Sequence, residues 1–181
     1  CPMVLGGPLP HVIAAKAVAF KEALDPSFQT YAHNVISNAQ KLAETLMQEG
    51  FRVITGGTDN HLLLVDVTPL GLTGRHAEVA LRKARITVNR NSIPFDANGP
   101  WYTSGIRLGT AALTTRGFGL NEMVLLGKLI AKILRATKPD FQEHGKLSRE
   151  ISTTDEKVQE EVLRSIHEIT EKFPLYPEIC L

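Results

Sequence analysis

Between Asn89 and Thr110 the chain reads NRNSIPFDANGPWYTSGIRLGT, a run that few folds accept. Pro94, Gly99 and Pro100 exclude a regular helix or an interior strand from its middle. TSGIRLGT then reads as a short strand in which Ile106 and Leu108 alternate with Gly105, Arg107 and Gly109. Such a strand buries its aliphatic pair and turns Arg107 to the opposite side. The flanking glycines there let a flat ligand or another backbone come close. A guanidinium presented in this way suits a two-pronged grip on a carboxylate. Exposed strand arginines are more commonly just solvated, so the spacing nominates a site without identifying it. Asn89 and Asn91 set two amides, each both donor and acceptor, on either side of Arg90. The only tryptophan, Trp101, follows the Gly99–Pro100 pair.

The rest of the chain supplies helices to cover a sheet. After a turn at Gly6, Gly7 and Pro8, VIAAKAVAFKEAL is apolar on nearly every face. A helix of that kind must be buried on more than one side, by partners this chain does not provide. A glycine pair opening onto a helix can offer backbone N–H groups to a phosphate, although the pair alone is more often simply a turn. From Tyr31 to Met47 apolar residues recur at helical steps, and Gly50 closes the helix. Phe51–Thr55 and His61–Val67 read as an antiparallel pair, the second covered on both faces. Asp59 and His61 lie close, but no Ser or Cys is placed to complete a nucleophilic set.

Thr73 caps a helix over GRHAEVALRKA, and Ile86–Val88 reads as a third strand. After Thr110 a turn-rich connector leads to a helix from Asn121 to Ala136, which Lys138-Pro139 ends. Gln142 to Thr154 reads as a polar loop or short surface helix, and Asp155 starts a last amphipathic helix. The sum is an α+β chain with helices packed on a small, mainly antiparallel sheet.

Several function classes drop out. A net charge of +1 and the lack of a basic stripe argue against nucleic acid as a partner. Cys1 and Cys180 have no metal-ligand spacing and fit a reducing compartment, so no metal site is expected. No apolar run reaches membrane-spanning length, and no leader pattern opens the chain, which reads as soluble. CPMVLGGP reads like the middle of a longer protein.

The words GGPLPHVIAAKAVAF, GGTDNHLLLVD, ITVNRNSIP and TSGIRLGT, in that order and spacing, resemble serine hydroxymethyltransferase. The likeness runs from Gly6 to the closing KFPLYP, and CPMVLGGP is similar to the chlamydial form. The resemblance implies the carboxy-terminal portion of a fold-type I pyridoxal-phosphate enzyme. Residues 1–30 would be the tail of the large cofactor-binding domain and residues 31–181 the small domain. The family interconverts serine and glycine and passes a one-carbon unit to tetrahydrofolate, so the resemblance also implies a cytoplasmic homodimer with neither membrane nor nucleic-acid partners. Matched motif by motif, Arg107 would hold the amino-acid carboxylate and Asn91 the pteridine ring. Gly99, Pro100 and Trp101 would lie along the folate, and Gly6 and Gly7 would reach the phosphate of pyridoxal 5'-phosphate in the neighbouring subunit.

Cys1 stands where the family usually has an aromatic, and Trp101 where a smaller aromatic is common. The family's Thr-His-Lys cofactor segment does not occur in this sequence, so the chain by itself is expected to be inactive. Two other readings are a non-catalytic binding or assembly module of the same fold and another enzyme of that fold, such as an aminotransferase. An aminotransferase has no need of a folate site, which sets it against the NRNS word.

Overall fold

Helix α2, Pro26–Gln48, is the ridge on which the rest of the chain packs. Asp25 starts it by accepting the Ser27 N–H at 2.8 Å, with Pro26 in the first turn, where its missing N–H costs nothing. Its inner stripe, Leu42, Ala43 and Leu46, meets helix α6, Leu120–Arg135, through Ile130, Ile133 and Leu134. The computed structural model describes residues 6–142 and 145–175. Cys1, Cys180, most of the CPMVLGGP opening and the end of KFPLYP lie outside the described residues.

Helix α1, Pro10–Ala23, precedes α2 and has no buried residue. Ile13, Val18 and Phe20 are all exposed, so the described chain does not cover this helix, in line with its apolar sequence.

The sheet has four antiparallel strands in the order β1-β2-β4-β3: β1 Arg52–Val53, β2 Leu62–Asp66, β3 Asn89–Asn91 and β4 Gly105–Gly109. Leu63, Val65, Ile106 and Leu108 bury one face against α2, α6 and helix α3, Gly74–Lys83. Helix α7, Glu156–Lys172, closes the core with Val162, Ile166 and Ile169, and Asp155 caps it through the Val158 N–H at 3.1 Å. The architecture is α+β, helices on a small antiparallel sheet.

Several local expectations need correction. The third strand is Asn89–Asn91, not Ile86–Val88. Arg85 turns the chain at φ +62° and Ile86 plugs into the core, so edge pairing begins only beyond it. The first strand is two residues rather than five, and β2 is covered on one face while Leu62 and Leu64 on the other are half-buried.

Two further segments are more regular than their sequence suggests. Ala111–Thr115 is a short helix, α5, because the Thr110 carbonyl accepts both the N–H and the hydroxyl of Thr114. Gly99–Tyr102 forms one helical turn, α4, with Pro100 in the first turn, the place where proline is tolerated.

The largest correction is the hairpin β5, Thr137–Phe141, with β6, Leu147–Thr154, in place of a loop or surface helix. Its inward positions are hydroxyls, not aliphatics: Ser148 and Thr154 are buried, and the Thr137 and Thr154 hydroxyls meet at 2.9 Å. A strand whose buried side is polar carries no hydrophobic alternation to read.

Candidate functional site

The face of the sheet turned away from the core carries the candidate site. The burial pattern of β4 puts Ile106 and Leu108 inside and Arg107 outside, as the alternation predicts. Antiparallel pairing sets Asn89 of β3 directly across from Arg107 and Leu64 of β2 on its other side. Arg107 Nε–H donates to Asn89 Oδ1 at 3.1 Å, and Asn89 Nδ2–H donates to the Arg90 carbonyl at 2.9 Å. Among the described residues neither terminal nitrogen of Arg107 has a hydrogen-bond partner. Arg107 lines an open depression of about 440 Å³ together with His61, Thr87, Asn89 and Gly109.

The bracketing glycines do different things. At Gly109 a side chain would meet only the His61 carbonyl at 3.7 Å, so that flank is open to a ligand. At Gly105 an added Cβ would lie 2.7 Å from Ile93 Cγ2 and 3.0 Å from the carbonyls of Asn91 and Val65. The close approach expected there is therefore made by the chain itself.

Asn91 lies across from Gly105, on the same face as Arg107. Its Nδ2–H donates to the Ser92 carbonyl at 2.7 Å, which leaves Oδ1 without a hydrogen-bond partner among the described residues. Arg90 points to the opposite side and pairs with Glu78 of α3 at 3.1 Å.

The loop between β3 and β4 is built on a residue that the sequence motifs do not single out. Asp96 accepts the Ile93 N–H (3.1 Å), the Asn98 N–H (2.7 Å), the Ser104 N–H (2.8 Å) and the Ser104 hydroxyl (2.6 Å). Burial pushes its carboxyl pKa up. The hydrogen bonds from the Ser104 hydroxyl and from three backbone N–H groups outweigh that and hold it below the ordinary carboxylate value. An Asp two residues before Asn in a Pro/Gly loop is the Asx-turn signal that could have revealed it. Thr103 leaves this loop at φ +57°, a left-handed conformation unusual for a β-branched residue. Its carbonyl accepts the Gly74 N–H at 2.9 Å and its hydroxyl donates to the Gly105 carbonyl at 3.2 Å.

Trp101 does not line the depression. Its half-exposed ring lies 5.3 Å from the Arg75 guanidinium carbon and 5.2 Å from that of Arg90, within cation–π range of both. Gly99 has φ +70°, and a Cβ there would stand in open space. Gly6 and Gly7 are exposed ahead of α1 and do not line the depression, and nothing in the described chain crowds them. The structure thus brings Arg107, Asn89 and Asn91 onto one face, with Trp101 and the glycine pair elsewhere. No group of three or more His, Cys, Asp or Glu residues able to hold a metal occurs among the described residues. No described helix is long and apolar enough to cross a membrane.

A family model described as serine hydroxymethyltransferase matches residues 1–130. The serine hydroxymethyltransferase of Treponema pallidum (strain Nichols) is 52% identical over 179 residues, covering 99% of this chain and 31% of the relative. That of Chlamydia muridarum (strain MoPn / Nigg) is 51% identical over 181 residues, 100% of this chain and 36% of the relative. The Chlamydia abortus (strain DSM 27085 / S26/3) protein of the same name is also 51% identical over 181 residues, again 100% of this chain and 36% of the relative. Chlamydial proteins are thus among the relatives, at an identity one point below that of the treponemal one. The chain spans about a third of the length of these curated relatives.

Proposed function

The chain belongs to the serine hydroxymethyltransferase family, and from that membership we propose that it supplies the substrate-facing part of an enzyme interconverting serine and glycine with tetrahydrofolate as one-carbon acceptor. The observation that carries this reading is Arg107, held through Nε by Asn89 while it lines an open depression and its terminal nitrogens have no hydrogen-bond partner among the described residues. In this reading those two nitrogens grip the carboxylate of serine or glycine, the bidentate geometry for which arginine is suited. The grip fixes the amino acid's orientation, so that one bond at its α-carbon rather than another is presented for cleavage. Asn91 Oδ1 accepts a hydrogen bond from the pteridine ring, and the backbone at Gly99, Pro100 and Trp101 lies along the folate. Gly6 and Gly7 give backbone N–H groups to the phosphate of the cofactor in a neighbouring subunit of a cytoplasmic homodimer. Residues 1–30 are then the tail of the large domain, and residues 31–181 the small one; the absence of any buried residue in α1 supports that division.

Pyridoxal 5'-phosphate supplies the electron sink in this family. The residues present do not by themselves fit it. The depression around Arg107 has no lysine in its lining, and no lysine of the chain follows a Thr-His pair. The covalent anchor has to come from outside this sequence, and no step through it is derived from the residues here.

The reading is tested by assaying the intact, cofactor-loaded enzyme for glycine formation from serine with and without tetrahydrofolate. Glycine formation that requires both substrates is the expected result. Turnover of serine with no dependence on tetrahydrofolate would contradict it.

A further inference from the structure

We propose that Asn89 is the positioning residue of the substrate grip, locking the Arg107 guanidinium in the plane and direction in which it receives a carboxylate. The inference rests on the reading of Arg107 given above.

Arginine is a donor only, and a backbone carbonyl is an acceptor only. Asn89 contacts one of each: its oxygen takes Arg107 Nε–H at 3.1 Å, and its nitrogen gives to the Arg90 carbonyl at 2.9 Å. The two partners leave one orientation for the amide, so Asn89 cannot flip without losing both bonds. A planar guanidinium held at Nε keeps the edge carrying its two terminal nitrogens free of Asn89, and Arg107 itself lines the depression. On the other side β2 sets Leu64 across from Arg107, a side chain with no acceptor. Among the described residues Asn89 is the sole side chain that accepts from Arg107.

The geometry also accounts for the residue type. Alanine or leucine at position 89 would keep the strand pairing but leave Nε without an acceptor. Aspartate would keep the acceptor, but it would neutralise Arg107 and repel the incoming carboxylate. Only an uncharged side chain with acceptor and donor at this reach does both jobs, and Asn89 sits at the register position of β3 opposite Arg107. The pair lies at the solvent-facing side of the sheet, where a hydrogen bond adds little to stability. Its effect belongs to binding rather than folding.

The test measures equilibrium binding of glycine and of glycinamide, which lacks the carboxylate, to the intact cofactor-loaded enzyme in four forms: unaltered, Asn89→Ala, Arg107→Ala and the double variant. Thermal midpoints are recorded for each. Asn89→Ala is expected to weaken glycine binding by about tenfold, the scale of a hydrogen bond to a charged group, with glycinamide binding and the midpoint little changed. Asn89→Ala added to Arg107→Ala is expected to cost nothing further. Asn89→Asp, nearly identical in shape, is expected to lose glycine at least as strongly while retaining glycinamide.

If Arg107→Ala weakens glycine but Asn89→Ala does not, or if the two losses simply add, Asn89 is not the positioning residue and the carboxylate reading of Arg107 survives. If Arg107→Ala itself leaves glycine binding intact, the reading of Arg107 fails, and the role of Asn89 fails with it. A fall in glycine and glycinamide binding together in Asn89→Ala would assign Asn89 a structural role and overturn the proposal.

Discussion

Asp96 receives the Ser104 hydroxyl at 2.6 Å and the Ser104 N–H at 2.8 Å, joining the start of the β3–β4 loop to the residue that leads into β4. The strand that carries Arg107 is therefore delivered by a carboxylate well upstream of it in the chain. Neither residue needs to touch a substrate to decide where the guanidinium stands.

Replacing that carboxylate removes the acceptor for four hydrogen bonds at once. Asp96→Ala is expected to destabilise the protein by about 2 kcal/mol and to increase amide exchange between Ile93 and Ser104. The pH dependence has a definite sign. Because the folded carboxyl is held below its ordinary value, its contribution is complete above the unfolded value of about 4 and is lost as pH falls through the folded one. Hydrogen exchange of the loop amides at pH 7 and at pH 3 measures both effects. An Asp96→Ala variant with unaltered loop exchange would remove the residue from this role.

Gly74 is the first residue of α3 and lies against β4. A Cβ there would overlap the Thr103 hydroxyl and the Gly105 carbonyl, and would stand 3.2 Å from Arg90 Cβ. Backbone cannot give way as a flexible side chain can, so Gly74→Ala has to push the helix off the strand. A loss of about 2–3 kcal/mol in a denaturant titration is expected. A shift of only a few tenths would mean that the helix start adjusts freely.

His76 couples α3 to the hairpin of β5 and β6. It is 1% exposed, its Nδ1 accepts the Thr73 N–H at 3.1 Å, and its backbone N–H donates to the Thr73 hydroxyl at 3.2 Å. That hydroxyl in turn donates to the Arg149 carbonyl at 3.0 Å. The neutral ring carries its proton on Nε2, which is buried without a partner among the described residues. Burial drives its pKa down; Asp140 and the Ser148 backbone push it back up, and Arg75 adds to the lowering. The unfolded chain therefore takes up a proton first as pH falls below about 6.5, and stability drops from that pH downward while remaining whole above it. Thermal midpoints between pH 7.5 and 5 should fall, and His76→Gln, which keeps an acceptor at the third helical position, should flatten that slope. An unchanged slope in the variant would assign the pH dependence to other groups.

Much of this is legible in the sequence because it is periodic. The alternation in TSGIRLGT places Ile106 and Leu108 inside and Arg107 outside, and the helical spacing of Val35, Leu42 and Leu46 marks the inner stripe of α2. What stays hidden is held by polar contacts with no period. The β5–β6 hairpin turns Ser148 and Thr154 inward, so its strands look like solvated loop. The Asp96 hub and the Thr73–His76 box are single residues whose partners are mostly backbone N–H groups. The register that puts Asn89 opposite Arg107 depends on where β3 begins, and Ile86, which looks like a strand residue, is instead a core plug. At Gly105 the sequence indicates close approach correctly but not its occupant, the Ile93 side chain.

The proposed two-nitrogen grip of Arg107 on the substrate carboxylate is probed most directly by serine saturation kinetics of Arg107→Lys in the intact enzyme. Lysine keeps the positive charge but has neither the fork nor the Nε–H that Asn89 holds. With a two-pronged grip lost, kcat/KM for serine is expected to fall by about a hundredfold or more, with the dependence on tetrahydrofolate much less affected. A variant with near-normal serine dependence would contradict it.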